Sequence, residues 1–203
     1  MNTPKVILIG GCPGAGKTTL GRAVAANLDY ASLTIDDLLG AVVAITTDDS
    51  HPGLHVMNKP NYTEYFTNSP VEKLIVDATI QHEALWPAVE RTIRNHATWG
   101  RPIVIDGWHL RPEWTQSLDL DRVSVHWIVI EPDVLEARER NNADFVSESD
   151  NPQQMLSRFV ARSLWFNELI EAQAKSRGDQ ILRQDGTQTV DDLCRQVESR
   201  FAF

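Results

Sequence analysis

The sequence predicts an α/β protein: a single domain with a five-stranded parallel sheet, helices on both faces and a short lid. Short apolar runs alternate with longer amphipathic stretches along the 203 residues, the pattern left by parallel strands joined through covering helices. The first run, Val6-Ile7-Leu8-Ile9, is apolar at consecutive positions and ends in Gly10-Gly11, as a strand buried on both faces does. No internal repeat or linker divides the chain, so residues 1–203 read as one domain of a length that buries a sizeable core.

The elements follow in order. After the first strand, Leu20, Ala23, Val24 and Leu28 keep helical spacing, interrupted only by the polar Asn27. Ala31 to Ile35 is a weaker second strand ending at Asp36-Asp37, and Leu38 to Ile45 continues as a helix. Thr46 to Asn68 holds Pro52, Gly53, Pro60 and several Asn, which predicts loop with one helical turn around Tyr62 to Phe66. Ser69-Pro70-Val71-Glu72 reads as a helix start, with a Ser cap, Pro at the first helical position and Glu three after the cap. Leu74, Ala78, Leu85, Val89 and Ile93 carry that helix to about Trp99, with a kink or restart expected near His82 to Leu85 because Pro87 lacks an amide donor. Ile103 to Ile105 forms a third strand ending at Asp106-Gly107, followed by a short helix from Pro112 to about Ser117. Val123 to Ile130 is the fourth strand, and Pro132 opens the next helix. The polar stretch from Asn141 to Asn151 breaks the periodicity. Met155, Phe159, Ser163, Phe166 and Ile170 then mark a long helix to Gly178; Gln180 to Arg183 is the fifth strand, and Val190, Leu193, Cys194, Val197 and Phe201 stripe a terminal helix.

Charge and composition narrow the function classes. At 42% hydrophobic and 23% charged, the chain is neither low-complexity nor disordered. Its formal net charge of −9, with no run of Lys or Arg, repels polyanions and argues against a nucleic-acid partner. No apolar stretch approaches the ~20 residues needed to span a bilayer. Met1 leads straight towards the first strand without a leader pattern, and two cysteines, Cys12 and Cys194, suggest no disulfide framework, so a cytoplasmic location is expected.

Chemistry enters at Gly11-Cys12-Pro13-Gly14-Ala15-Gly16-Lys17-Thr18, which satisfies G-x-x-x-x-G-K-[ST] between a buried strand and an amphipathic helix. Glycines let successive amides turn inward around a phosphate, and the positive end of the following helix adds its field at the same place. Gly11, Gly14, Ala15, Gly16, Lys17, Thr18 and Thr19 are therefore expected to bind the phosphates of a nucleoside triphosphate. Lys17 would reach the β- and γ-phosphates, and the Thr18 hydroxyl would ligate Mg²⁺. Asn58-Lys59-Pro60-Asn61 looks only superficially like a guanine-specificity element and precedes the third strand, so a GTPase is set aside. An AAA-type motor is set aside on length and the lack of a separate helical lid domain.

With this loop, Asp36-Asp37 past the second strand, Ile103-Val104-Ile105-Asp106-Gly107, and Pro132-Asp133-Val134-Leu135 with Arg138 and Arg140 ahead of Arg158 and Arg162, nearly the full chain resembles small P-loop kinases of the nucleoside-monophosphate-kinase type. Gln184-Asp185-Gly186-Thr187 before the last helix is similar to that family's final strand and helix. The segment after Asp106 departs from adenylate kinases, which place Phe-Pro-Arg directly after the Gly. Asp106-Gly107-Trp108-His109-Leu110-Arg111-Pro112 instead looks like the acidic-residue-Gly-x-His-Leu-x-Pro of 2-phosphoglycerate kinases, with Leu54-His55 a fainter likeness. The resemblance implies a P-loop NTPase fold, ATP and Mg²⁺ as cofactors, an acceptor-binding region at about 36–99 and a lid at about 138–158.

Asp106, at the carboxyl end of a strand, is expected to ligate Mg²⁺ or its water, with capping of the turn as the alternative. Asp36 is expected to orient or deprotonate the acceptor hydroxyl, with Asp37 beside it in the acceptor site; helix capping is the competing role. His55, His109 and Arg111 are candidates for an anionic acceptor. Arg138 is assigned to the nucleotide, and Arg158 and Arg162, four apart on one helix face, to catalysis on the transferring phosphate. A zinc site among His51, His55 and His109 lacks a carboxylate or thiol at ligand spacing. Cys12 reads as a small residue in a tight turn ahead of a redox-sensitive thiol. Trp108, Trp114 and Trp127 read as core or pocket wall, and Trp165 and Phe166 are expected to pack the lid helix against the sheet. The expected activity is ATP-dependent phosphoryl transfer to a small anionic metabolite, a 2-phosphoglycerate-like hydroxy acid first. The alternatives are a nucleotide or nucleoside-monophosphate kinase and a non-catalytic nucleotide-binding P-loop protein. The partner is a small-molecule acceptor, with neither nucleic acid nor membrane, and the chain is expected to be a monomer or homodimer.

Overall fold

A computed structural model of the chain describes residues 4–57, 61–118, 121–141 and 143–201. The chain alternates β1 (Val6–Gly11), α1 (Lys17–Leu28), β2 (Ala31–Thr34) and α2 (Ile35–Ala44), then passes through α3 (Pro52–His55) and α4 (Tyr62–Asn68) to the long α5 (Val71–Thr98). There follow β3 (Ile103–Gly107), α6 (Pro112–Thr115), β4 (Val123–Ile130), α7 (Pro132–Asn141), α8 (Pro152–Arg177), β5 (Gln180–Gln184) and α9 (Val190–Glu198), with a 3-10 turn at Ala143–Val146 ahead of α8. The strands form one parallel sheet in the order β2-β3-β1-β4-β5. Asn58, Lys59 and Pro60 of the segment compared with a guanine element lie outside the described residues.

Alternation along the strands makes the three layers. Ile7 and Ile9 of β1 and Ile128 and Ile130 of β4 turn to one side, where they join Leu20 and Val24 of α1 and Leu193 and Val197 of α9. Val6, Leu8, Ile105 and Trp127 turn to the other, against Leu85, Val89 and Ile93 of α5 and Ile170 of α8. The central strand β1 is buried at every residue, as its unbroken apolar run requires.

Four local expectations are corrected. β2 stops at Thr34, so Asp36 and Asp37 occupy the first turn of α2 instead of a strand end; acidic groups there are favoured by the helix field. α5 runs unbroken through Pro87 without the expected restart. Pro87 and Glu83 are exposed while Leu85, Val89 and Ile93 are buried, so the carbonyl that Pro87 leaves unpaired faces water and the buried stripe holds the helix together. Ser69 makes no capping bond to α5, whose preceding residue is Pro70; it closes α4 instead, its amide donating to Tyr65. Of the pair Trp165 and Phe166, only Phe166 is buried, and Trp165 is 40% exposed.

Asn167 of α8 ties helix to sheet. Its Oδ1 accepts from the Ile130 amide and its Nδ2 donates to the Ile130 carbonyl, both at 3.0 Å. Among the described residues no helix is long and apolar enough to cross a membrane.

His126 of β4 is wholly buried beside Phe201, and its Nε2 lies 2.8 Å from the Ser124 hydroxyl. Burial pushes its pKa from 6.5 down to about 4, with a Gln180 hydrogen bond pulling weakly the other way. Below pH 6.5 the unfolded chain takes up a proton that the folded chain refuses until about pH 4, so stability present at neutral pH is lost through that window. The loss from this group is on the order of 3 kcal/mol. Denaturant titrations between pH 4.5 and 7.5 should show His126→Gln with a shallower fall in stability on acidification than the parent; parallel curves would remove His126 from the acid response.

Candidate active site

The segment between β1 and α1 turns through two left-handed glycines, Gly14 at φ 79° and Gly16 at φ 95°. A side chain at Gly14 would also collide with α7, since its Cβ would sit 2.3 Å from Glu139 Oε1 and 2.5 Å from Leu135 Cδ1. Lys17 opens α1 and folds over the turn, its Nζ donating to the Cys12 carbonyl at 2.7 Å. Burial lowers its pKa, while the Cys12, Asp36, Asp106 and Glu139 fields oppose that shift.

Thr18 reaches across from α1 to β3, donating to Asp106 Oδ2 at 2.7 Å. Asp106 is 1% exposed and faces Ile9 and Thr34 in the sheet register. Gly21, one turn along α1, leaves it room: a Cβ there would lie 3.2 Å from Asp106 Oδ1. Burial raises the Asp106 pKa, and the Thr18 hydrogen bond acts against it. One carboxylate and one hydroxyl oxygen at the mouth of the loop form a hard donor set that fits Mg²⁺ with waters and phosphate completing its shell. Among the described residues no group of three or more His, Cys, Asp or Glu gathers for a metal.

Beside the loop lies a cavity of about 320 Å³ lined by Gly14, Gly16, Thr19, Arg138, Gln184 and Leu193. Arg138 donates to the Gly14 and Ala15 carbonyls at 3.4 and 3.3 Å. Glu139, which sequence reasoning missed, is buried behind Gly14, and desolvation raises its pKa against the pull of Lys17 and Arg138. An acid four residues after the buried Leu135 stands on the inner face of α7, and that spacing was the available signal. Cys12 is fully buried, and burial pushes its thiol up to about 11, the reverse of a reactive thiolate.

The acceptor-side candidates separate. Asp36 and Asp37 are exposed at the start of α2, and Asp36 is close enough to act electrostatically on both Lys17 and Asp106. His55 stands beyond the far end of α2 from Asp36: its Nε2 lies 3.0 Å from the hydroxyl of Thr46, which follows the helix, and the helix from Asp36 to Ala44 spans about 12 Å. Arg158 is taken up by the Thr67 and Ser69 carbonyls at the end of α4, where Gln154 also donates to Thr67; its four-residue spacing from Arg162 does not give the two a common partner. The segment expected to form a lid is tied to α4 as well, through Thr67 and Ser149 hydroxyls 2.7 Å apart and a Tyr62 bond to the Phe145 carbonyl. His109, Arg111 and Arg162 come together with His82 of α5, which sequence reasoning placed only on a helix. His82 accepts from Arg111 at 3.0 Å, and its ring lies 4.5 Å from that of His109.

A glycine turn over a helix N-terminus, with a buried lysine and a Thr–Asp pair joining that helix to the strand beside β1, defines a P-loop domain. Residues 6–163 match the family model described as AAA domain, and the chain belongs to that family. Solved structures share the fold over nearly the whole chain. A shikimate kinase from Bacteroides thetaiotaomicron is 17% identical, with 96% of this chain and 97% of that chain covered at a TM-score of 0.52. A gluconokinase from Sinorhizobium meliloti 1021 is 16% identical, with 98% and 92% covered at 0.56. A deoxyadenosine kinase from M. mycoides, solved with bound dATP, is 12% identical, with 96% and 98% covered at 0.53. No curated protein matches. None of these comparisons shows the narrower resemblance to 2-phosphoglycerate kinases.

Gly14→Ala should weaken ATP binding by about tenfold or more in equilibrium titrations, because the loop must give way to both the clash and the left-handed backbone. Unchanged affinity would mean that phosphates do not depend on this turn.

Proposed function

We propose that the chain is an ATP-dependent phosphotransferase acting on a small anionic acceptor, with a 2-phosphoglycerate-like hydroxy acid as the first to assay. The observation that supports this reading is the convergence of Lys17, the Thr18–Asp106 pair and Asp36 at one end of the parallel sheet. A nucleotide would lie with its phosphates in the Gly11–Thr19 turn and its remainder towards the cavity at Arg138 and Gln184. Lys17 would exchange the Cys12 carbonyl for phosphate oxygens, holding charge that grows during transfer. Thr18 and Asp106 would hold Mg²⁺, which neutralises phosphate charge when bound. Asp36, exposed near Lys17, would position the acceptor hydroxyl and accept its proton. Arg111 and His109 would hold the acceptor's anionic group, and Arg162, expected from the sequence to act on the transferring phosphate, would join them there. The reaction needs no covalent enzyme intermediate, only alignment and charge stabilisation.

ADP release measured against hydroxy-acid, sugar and nucleotide acceptors tests the proposal, and it is wrong if no acceptor raises release above the ATP-only rate. Lys17→Ala should lower acceptor-dependent turnover by on the order of 10²–10³-fold while the fold persists. Asp106→Asn should move the Mg²⁺ dependence of turnover to about tenfold higher concentration, since the amide keeps size but loses the anion. Superimposable Mg²⁺ titrations would take Asp106 out of the metal site.

A further inference from the structure

Around His82, His109, Arg111 and Arg162 the protein holds two guanidinium groups in no ion pair and several buried polar nitrogens that find no acceptor among the described residues; one Arg111 N–H reaches His82, and Glu83 and Glu113 act on Arg111 only through their fields. Arg111 is 1% exposed, Arg162 3%, His82 0% and His109 2%. Neither guanidinium forms an ion pair among the described residues. Among the described residues, His82 Nε2, both ring nitrogens of His109, Arg111 Nη1, and Nε and Nη1 of Arg162 have no hydrogen-bond partner. Buried polar groups are normally satisfied, and buried charges normally paired.

Aromatic rings hold these groups in place without supplying a counter-charge. The Arg111 guanidinium carbon lies 4.1 Å from the Phe166 ring centre, and that of Arg162 lies 4.9 to 5.0 Å from Trp108, Phe66 and Phe159. Ring faces attract cations but accept no strong N–H hydrogen bond of the kind a guanidinium makes with an oxyanion. We infer that this cluster is the binding site for a phosphate monoester group carried by the acceptor. The inference rests on the phosphotransferase reading above.

The charge and donor count select that chemistry. Burial lowers Arg111 and Arg162 to about 10, leaving both charged at neutral pH. Burial lowers His109 to about 3 and His82 well below 6.5, so both imidazoles are neutral. The cluster therefore carries two positive charges, matching the dianion of a phosphate monoester better than the single charge of a carboxylate. Because neutral His82 accepts from Arg111 through Nδ1, its proton resides on Nε2, the atom left without a partner. With one N–H from neutral His109 and those of the two arginines, the donors outnumber what two carboxylate oxygens receive and suit three terminal phosphate oxygens. Lys17 acts electrostatically on both histidines, which puts the cluster beside the phosphate loop, where an acceptor would stand.

The test loads the loop first, so that it does not compete for the probe. Protein saturated with Mg²⁺ and a non-hydrolysable ATP analogue is titrated with inorganic phosphate, and separately with acetate, by calorimetry. The inference expects saturable phosphate binding, weaker acetate binding, and phosphate affinity reduced about tenfold or more in Arg162→Met and in Arg111→Met. The ligand-free Arg162→Met protein should also melt no lower than the parent, because it loses a buried charge that lacks a counter-ion. Should a Met variant fail to fold, Arg162→Lys keeps the charge but not the fork and should also bind phosphate more weakly. No phosphate binding beside the analogue, equal binding of acetate, or parental phosphate affinity in the folded variants would each overturn the inference. Acceptor-dependent ADP release reads the phosphotransferase proposal independently: transfer with an unresponsive cluster sinks only this site, and phosphate binding without transfer to any acceptor sinks only the activity.

Discussion

The 2.7 Å hydrogen bond from Thr18 to Asp106 joins two things that the chain makes separately. Thr18 belongs to the helix that receives the loop, and Asp106 ends the neighbouring strand, 88 residues away. The bond exists because β1 and β3 are adjacent and parallel, so that Ile9 and Asp106 stand side by side and both strands deliver their carboxyl ends to one edge. Gly21 matters for the same reason, since anything larger would displace the carboxylate that Thr18 reaches. The meeting of the Thr18 and Asp106 oxygens and the Asp106 field at Lys17 both descend from this one strand adjacency.

Much of this arrangement was legible in the amino-acid order because its parts are local. The buried run Val6–Ile9, the glycines at 14 and 16, Lys17 and Thr18 fall within a short segment whose spacing has one physical reading. Asp106 was legible because apolar strands in such sheets end where ligands bind. Boundaries were less so: Ile35 is apolar enough to extend a strand, yet it starts α2 and buries against Gly107, whose missing side chain leaves it space. Pro87 misled because its effect on a helix depends on which side meets water, and only packing reveals that.

The members of the cluster were mostly legible; their meeting was not. His109 and Arg111 drew notice just past Asp106, and Arg162 through its spacing from Arg158 though for another role, whereas His82, 27 residues before His109 on a helix, drew none. Sequence spacing says nothing about whether such residues have partners. Arg158 and Arg162 look equivalent at four-residue spacing, but one meets carbonyls at the end of α4 and the other meets aromatic rings.

Arg158, Arg162 and Phe166 form one stripe along α8, and Asn167 adjoins its inner end. The double bond of Asn167 to the Ile130 backbone is a register lock. An amide side chain that both gives and receives at a single residue admits one axial setting of the helix against β4. A slip of one turn would carry the stripe about 5.4 Å along the sheet. Carbonyls grip Arg158 at the outer end, so the helix is indexed at two points with Arg162 between them. A charged group in no ion pair among the described residues thus keeps its place through the indexing of its helix, and whatever it binds inherits a position measured from the end of β4.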